Sequence, residues 1–123
     1  MELYREIIMD HYKNPRNKGS LDNPTNEATT TNGSCGDKIK VQLFLEDKKI
    51  KDIKFSGYGC AISQAAASLL TEEIKNKKIE EINSIKNEDI FKLLGIEIEP
   101  LRIKCASLAL EAIRNSIKNG TGN

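Results

Sequence analysis

The sequence predicts one α+β domain in which helices pack on one face of a small antiparallel sheet. The chain has 123 residues, and most folded domains contain about 100 to 150. Its periodic segments come in the order helix, strands and then helices only, and a chain with this order usually places its helices on one sheet face. The sequence contains no internal repeat or heptad array that would indicate another architecture.

The first segment is predicted to be a helix over residues 2–12, with apolar residues at helical spacing: Leu3, Tyr4, Ile7, Ile8 and Tyr12. Asn14 precedes Pro15, which disfavours helical backbone and ends the pattern. The stretch that follows, NPRNKGSLDNPTNE (14–27), contains two Asn–Pro pairs and a glycine. Turn-forming residues without apolar periodicity predict a long surface loop.

Two or three strands are predicted to follow in an antiparallel meander. The β-branched run at 28–31 favours a short edge strand. Residues 38–45 alternate strictly and place four apolar side chains on one face, namely Ile39, Val41, Leu43 and Leu45. A polar turn over 46–49 leads to Ile53 and Phe55, which alternate with polar residues and predict the returning arm of a hairpin.

The next segment is predicted to be an Ala-rich helix. After Gly59 the apolar residues recur at intervals of three and four, from Ile62 to Ile74. Cys60 therefore lies at the predicted N-terminus of this helix.

Two further helices are predicted in the last third of the chain. Asn87 is a predicted N-cap and Gly95 a predicted stop for a helix of two turns. Pro100 is predicted to open the last helix, whose apolar face runs from Cys105 to Ile117.

The composition argues against several classes of function. Nineteen Lys and Arg residues stand against eighteen Asp and Glu residues, for a net charge of +1. Proteins that bind nucleic acid generally need a much more basic balance, so no nucleic-acid partner is expected. The sequence has no apolar run that could cross a membrane and nothing that resembles a secretory leader, so we expect no membrane partner and a cytoplasmic location.

The odd number of cysteines is the first chemical clue. Cys35, Cys60 and Cys105 cannot all pair within one chain, and in a reducing compartment free or metal-bound thiolates are expected instead of disulfides. The predicted helix N-terminus at Cys60 offers N–H groups and partial positive charge that favour a thiolate. Cys105, on an apolar helix face, has the alternative interpretation of a small core residue.

Cys35 and Asp37 are two residues apart, so in extended backbone their side chains project the same way. The neighbouring Gly33 and Gly36 would let the main chain approach an ion, although Gly36–Asp37 is also typical of a simple polar turn. If the hairpin brings its two ends together and the last helix begins there, one tetrahedral site forms from Cys35, Asp37, Cys60 and Cys105.

Three thiolates and one carboxylate suit zinc, and they equally suit the two irons of a [2Fe–2S] cluster; the spacing leaves both open. The chain lacks the paired C-x2-C motif of structural zinc sites, and an oxygen ligand exchanges faster than a fourth thiolate. These features indicate a site that releases its metal.

A cysteine hydrolase would need a general base beside its thiol. The single histidine, His11, lies in the first predicted helix and is interpreted as a structural residue. Lys104 precedes Cys105 and could assist its thiolate, but helix geometry favours an orientation towards solvent.

Four segments together resemble one family. They are YREIIMDHYKNPRNKGSL (4–21), CGDKIKVQL (35–43), GYGCAISQAAAS (57–68) and IKCASLALEAI (103–113). In this order they resemble the iron–sulfur cluster assembly scaffolds that comprise IscU, SufU and the N-terminal domain of NifU. The resemblance covers nearly the whole chain. It implies a single domain over 1–123 with the SufE/NifU-like fold, a small three-stranded antiparallel sheet with helices on one face.

The resemblance also implies a function. Members accept sulfur from a cysteine desulfurase and iron from a donor, build a transient [2Fe–2S] cluster and hand it to apo acceptor proteins. Cys35, Asp37, Cys60 and Cys105 match the positions that bind the cluster, and zinc often occupies the same ligands. Cys105 matches the candidate persulfide acceptor. A scaffold that is not an enzyme, acting as a monomer or weak dimer, is therefore expected; the alternative is a zinc-dependent sulfurtransferase of the SufU type.

The chain mixes features of two branches of the family. Proteins that resemble IscU have a His immediately before the last cysteine and an LPPVK segment that a dedicated chaperone recognises. Here Lys104 and EIEPLRIK (97–104) stand in those places, so no such chaperone is expected. SufU proteins have a basic residue before the last cysteine, as here, but also a long insertion before it, for which residues 61–104 are too few.

Overall fold

The computed structural model describes residues 2–33, 36–95 and 103–119. Its sheet contains β1 (Asn26–Asn32), β2 (Asp37–Glu46) and β3 (Lys49–Tyr58), hydrogen-bonded in the order β1-β2-β3. Both pairings are antiparallel, and Val41 of β2 lies between Ala28 and Phe55. The predicted meander of three strands is confirmed.

The hairpin between β2 and β3 is tighter than the sequence predicts. Glu46 pairs with Lys49, so only Asp47 and Lys48 form the turn. Both have positive φ, 55° and 62°, as in the type I′ turn whose twist matches that of paired strands. The strands therefore include Glu46 and Lys49, which the sequence pattern assigned to the turn.

Five helices accompany the sheet in the described residues: α1 (Glu2–Lys13), α2 (Ala61–Ile74), α3 (Ile79–Asn83), α4 (Asn87–Leu94) and α5 (Ile103–Lys118). α5 packs on β1 and β2, and α2 packs on β3, α1 and α5. Along β2 buried and more accessible residues alternate, so the buried face of the sheet is the one under the helices. The prediction of helices on one face is confirmed.

β1 is longer than the predicted 28–31 because its polar residues have partners in α5. Asn26 and Thr30 are buried and donate hydrogen bonds to main-chain carbonyls of α5, at Ser116 and Leu108. These contacts replace the apolar packing that a strand usually needs on its buried face, so the ordinary pattern of alternating apolar residues is missing.

The loop after α1 is attached to the sheet. Phe55 of β3 donates its N–H to Asn17 O and accepts at its carbonyl from Gly19 N–H, both at 2.9 Å. Residues 17–19 thus cover the edge of β3 with a short parallel bridge between Lys18 and Phe55. The predicted loop is present, and part of it closes the sheet on this side.

The helices after α2 differ from the sequence prediction in two details. The sequence did not predict α3, whose single turn buries Ile82 and packs Ile79 partly against the core, too few apolar residues to establish a periodicity. The N-cap of α4 is Lys86 and not Asn87, because the Lys86 N–H is satisfied by the Asp89 carboxylate at 2.9 Å.

The sequence also predicts the residues that end α4 and begin the last helix. Gly95 ends α4 with φ of 74°, as expected. Pro100, the predicted start of the last helix, lies outside the described residues.

In the part of the chain that the structure describes, no helix combines the length and apolarity needed to cross a membrane.

Candidate metal centre

The ends of several elements meet at one edge of the molecule. Asn32 is the last residue of β1 and pairs directly with Asp37, the first residue of β2. Tyr58 ends β3 opposite Lys38, and Cys60 follows as the N-cap of α2. The antiparallel connectivity therefore brings Asp37 to the start of α2.

Asp37 caps α2 in place of the N-cap side chain. Cys60 makes no side-chain cap hydrogen bond, and the Cys60 backbone N–H instead donates to Asp37 Oδ1 at 3.0 Å. The hydroxyl of Ser63 lies 3.3 Å from the same oxygen. A carboxylate at this position satisfies N–H groups that a helix leaves unpaired and interacts favourably with the helix dipole.

The second carboxylate oxygen of Asp37 has no such partner. Asp37 is only 1% exposed, and Oδ2 is buried without a hydrogen bond from any described residue. A buried polar atom without a partner is costly, and in native structures it often marks a bound ion or a functional site. Oδ2 therefore has the chemistry of an unused metal ligand.

Two cysteine sulfurs lie beside this carboxylate. One ligand atom each from Asp37, Cys60 and Cys105 can be chosen so that all three lie within 4.8 Å of one another. Around a tetrahedral zinc ion with bonds of 2.0–2.3 Å, ligand atoms are separated by about 3.3 to 3.8 Å. A contraction of about 1 Å would thus let these three residues hold one ion, and the donor set fits the group that the sequence suggested.

The two cysteines differ in exposure. Cys60 is partly accessible at the start of α2, whereas Cys105, in the first turn of α5, is 1% exposed. Cys105 is buried like a core residue, yet its sulfur belongs to the cluster with Asp37 and Cys60. Cys35, the fourth predicted ligand, lies outside the described residues.

Sequence reasoning missed one residue of this site. The Asn32 side-chain amide donates to Cys105 Sγ at 3.7 Å and is buried, with 7% exposure. The available signal was its spacing of two residues from Thr30, which places both side chains on the same face of a strand. In the structure that face of β1 is buried.

The glycine that shapes the site is Gly59. A Cβ there would overlap Asp37 Oδ1 and lie 2.5 Å from Ser63 Oγ. By contrast, a Cβ at Gly33 or Gly36 meets no atom of the described residues within 4 Å, although Gly36 has φ of 70°, which favours glycine. Among protein atoms the close approach at this site is at Gly59, and an approach of Gly33 or Gly36 to an ion stays a prediction.

His11 and Lys104 occupy other positions. His11 Nδ1 is hydrogen-bonded to Ser68 Oγ at 2.7 Å. Ser68 lies eight residues beyond Cys60, about 12 Å along a helix axis, so His11 is placed as a structural residue. Lys104 is exposed, as expected for a side chain directed towards solvent.

Comparison with known proteins assigns the family. A family model described as NifU-like N terminal domain matches residues 3–122. The chain belongs to this family. Two NifU-like relatives represent its branches. The zinc-dependent sulfurtransferase SufU of Bacillus subtilis is 40% identical over 98% of this chain and 92% of its own. The iron-sulfur cluster assembly scaffold protein IscU of Escherichia coli K12 is 42% identical over 93% of this chain and 91% of its own.

Solved structures agree with the NifU-like fold. FiSufU from Fervidobacterium islandicum AW-1 superposes with a TM-score of 0.79 at 27% identity, covering 91% of this chain and 94% of its own. A NifU-like protein (N-terminal) from Brucella abortus, 20% identical, has a TM-score of 0.79 over 95% of this chain and 93% of its own, and so shares the fold. The predicted α+β class is confirmed.

The comparison also bears on the branch. The alignment with B. subtilis SufU spans 137 positions, more than the 123 residues of this chain. That relative therefore contains residues without a counterpart here, and their position as an insertion before the last cysteine stays a prediction.

Proposed function

We propose that this NifU-like domain is an iron–sulfur cluster assembly scaffold. In this proposal it accepts sulfur from a cysteine desulfurase, combines it with iron in a transient [2Fe–2S] cluster on Cys35, Asp37, Cys60 and Cys105, and passes the cluster to apo acceptor proteins. The observation that carries the proposal is the buried Asp37 carboxylate beside two cysteine sulfurs: one of its oxygens is bonded to α2, and the other has no hydrogen-bond partner among the described residues. The similarity to the E. coli scaffold protein IscU supports it.

The arrangement of the Asp37 carboxylate suits temporary binding of an iron–sulfur cluster. Oδ1 is held by the Cys60 N–H, so the carboxylate keeps its orientation whether or not Oδ2 binds iron. Thiolates are soft ligands that iron–sulfur clusters prefer, whereas a carboxylate oxygen is harder and exchanges more readily. The oxygen ligand is therefore the expected point of entry for an acceptor's thiolate.

Sulfur delivery is proposed to occur at Cys105. Its thiolate would attack the outer sulfur of the desulfurase persulfide, forming a new S–S bond while the desulfurase thiolate leaves. Because Cys105 is 1% exposed, this attack requires the start of α5 to move away from the sheet. The proposed setting is the cytoplasm, where reducing conditions keep the three thiols available.

A second candidate is a zinc-dependent sulfurtransferase that accepts persulfide sulfur from the desulfurase. The 40% sequence identity with B. subtilis SufU and the basic Lys104 before Cys105 favour this second candidate. Zinc would be held by the same four residues and would stabilise their thiolates.

Anaerobic reconstitution with iron and sulfide tests the leading proposal. We expect visible absorption from sulfur-to-iron charge transfer, followed by transfer of the cluster to an apo ferredoxin. Cys60→Ser and Cys105→Ser should weaken both signals, because each removes a thiolate. If the wild-type protein forms no chromophore but binds one zinc and accelerates the desulfurase, the sulfurtransferase is correct instead.

Asp37→Ala tests the role of the exchangeable ligand. We expect cluster transfer to slow, by about tenfold if the effect resembles that of other residues around metal sites, because the labile oxygen is gone. Ser63→Ala is the matched control, since it removes a contact to Oδ1 but keeps the carboxylate. Faster transfer from Asp37→Ala would contradict the argument from lability.

A further inference from the structure

Asn32 has an unusual hydrogen-bond acceptor. It is the last residue of β1, it is buried, and its side-chain Nδ2 donates to the sulfur of Cys105 at 3.7 Å. The register places Asn32 directly opposite Asp37, so both side chains lie on the buried face of the sheet. The amide and the carboxylate thus approach the same group of ligand atoms from neighbouring strands.

The other buried polar residues of β1 show what a purely structural contact looks like here. Asn26 Nδ2 donates to the Ser116 carbonyl at 2.9 Å, and the Thr30 hydroxyl donates to the Leu108 carbonyl at 3.2 Å. Both acceptors are main-chain oxygens of α5. Asn32 alone among these three donates to an atom that is a candidate metal ligand.

The chemistry of sulfur indicates when the Asn32 contact is strong. A neutral thiol is a weak acceptor, so a buried amide gains little from it. An anionic sulfur accepts a charge-assisted hydrogen bond, which is roughly twice as strong as a neutral one. Partners of this kind around a metal site orient its ligands and tune the metal, commonly by 10- to 100-fold in affinity. The amide therefore suits a metal-bound thiolate better than a free thiol.

We propose that Asn32 is a positioning residue for the Cys105 sulfur. Its N–H···S hydrogen bond holds the sulfur towards Asp37 and Cys60 and withdraws electron density from the bound thiolate. By orienting the sulfur the amide strengthens metal binding at this ligand, and by withdrawing electron density it lowers the reactivity of the sulfur. This inference rests on the proposed function in one respect, that Cys105 binds the metal.

Cobalt(II) is a suitable probe because its thiolate complexes absorb in the near ultraviolet and visible range. We compare Asn32→Leu, which keeps a branched side chain but removes the donor, with the matched control Asn26→Leu on the same strand and the same face. In Asn32→Leu we expect the sulfur-to-cobalt charge-transfer band to move to longer wavelength, because the sulfur becomes more electron-rich. We expect cobalt and zinc to bind about tenfold more weakly.

Asn26→Leu should behave differently. It removes an equally buried amide and should lower the melting temperature, but its cobalt spectrum should match that of the wild type. A shift of equal size in both variants, or no shift in Asn32→Leu, would mean that Asn32 only fastens β1 to α5, and the inference would be overturned.

A second variant guards against a failure of Asn32→Leu to fold. Asn32→Asp keeps the shape of the side chain, and its ionised carboxylate accepts hydrogen bonds and repels an anionic sulfur. It should lose more cobalt affinity than Asn32→Leu; wild-type affinity and spectrum in this variant would refute the inference.

The wild-type protein separates the two levels of the argument. If wild-type protein shows no thiolate-to-cobalt band, the metal site itself fails, and the proposed function fails with this inference. If the wild type shows the band and the Asn32 variants leave it unchanged, only the role of Asn32 is wrong.

Discussion

At the scale of single residues, Gln64 stands out. It lies on α2, one helical turn after Cys60, and is 4% exposed. Neither its side-chain nitrogen nor its oxygen has a hydrogen-bond partner among the described residues. An unsatisfied buried amide costs about 1 to 3 kcal/mol, so this position is expected to lower the stability of the metal-free protein.

We expect Gln64→Met to raise the free energy of unfolding of the metal-free protein by about 1 kcal/mol, because it removes the unsatisfied groups at similar volume. Gln42→Met is the matched control. Gln42 accepts from Leu21 N–H at 2.9 Å and donates to Glu27 at 3.0 Å, so its loss should destabilise. Urea denaturation measures both, and an equal loss of stability in the two variants would contradict this account.

Gly59 is the second residue for which the structure gives a specific prediction. We expect Gly59→Ala to weaken zinc binding by at least tenfold, since its Cβ displaces the Asp37 carboxylate and the Ser63 hydroxyl. Gly33→Ala, where a Cβ meets nothing within 4 Å, should bind zinc normally. Competition with a zinc indicator measures the affinities. Normal zinc binding in Gly59→Ala would show that Asp37 does not need its present position.

At the scale of secondary-structure elements, α1 and the loop after it are joined to α2 through Ser68. The Arg16 backbone N–H donates to Ser68 Oγ at 2.8 Å, and the same hydroxyl lies 2.7 Å from His11 Nδ1. When His11 is neutral, Ser68 can accept from Arg16 and donate to Nδ1 at once. A protonated Nδ1 is a donor, so Ser68 would have to accept from both His11 and Arg16 and direct its own proton elsewhere.

The pH dependence of this joint follows from its charges. Burial, followed by the positive charge of Arg16, lowers the pKa of His11, while Asp10 and Glu72 act in the opposite direction. The unfolded chain therefore binds more protons than the folded protein between the two pKa values. Stability from His11 is present above its ordinary pKa of about 6.5 and is lost as the pH falls through that value towards the lowered one.

We expect the free energy of unfolding of the wild type to fall between pH 7.5 and 5.5, and that of His11→Asn to fall less. Asp10→Asn is the comparison variant: it removes a charge that raises the pKa of His11, so its stability should fall at least as steeply as that of the wild type. The hydrogen bond from Arg16 holds the pKa of the Asp10 carboxyl below the ordinary value, so the contribution of Asp10 itself is lost only at much lower pH. Urea denaturation at each pH provides the measurement, and an unchanged slope in His11→Asn would exclude His11 as the source.

At the scale of the whole molecule, the candidate metal centre connects parts that are distant in sequence. Asp37 belongs to β2, Cys60 to the start of α2, and Cys105 to the start of α5. Because an unfolded chain does not hold these ligands together, a metal that binds the folded protein stabilises it by mass action. Folding and metal binding are therefore expected to be strongly linked.

We expect zinc at 100 times its dissociation constant to raise the free energy of unfolding by about 2.7 kcal/mol. A chelator should reverse the effect, and Cys105→Ser should show much less of it at the same zinc concentration. Thermal unfolding with and without zinc measures this linkage. An equal rise in the melting temperature of Cys105→Ser would place the zinc elsewhere.

The sequence alone determined the order of the elements, the hairpin, the buried face of β2 and the stop at Gly95. Each depends on local periodicity or on the backbone preference of one residue type, which neighbouring residues reveal. It also singled out Asp37, Cys60 and Cys105, because thiols and carboxylates are recognisable metal ligands in any fold. The extension of β1 and the turn of α3 escaped it, since polar and short segments carry no apolar periodicity.

The tertiary structure decided which side chains meet. Contacts between segments far apart in the chain decide that Asp37 caps α2 and that Asn32 donates to the Cys105 sulfur. They also bury Gln64 without a hydrogen-bond partner among the described residues. Hydrogen bonds and burial are properties of such contacts and not of a residue's neighbours in sequence. For that reason candidate ligands could be named from the sequence, while the side chains that contact them became visible only in the folded molecule.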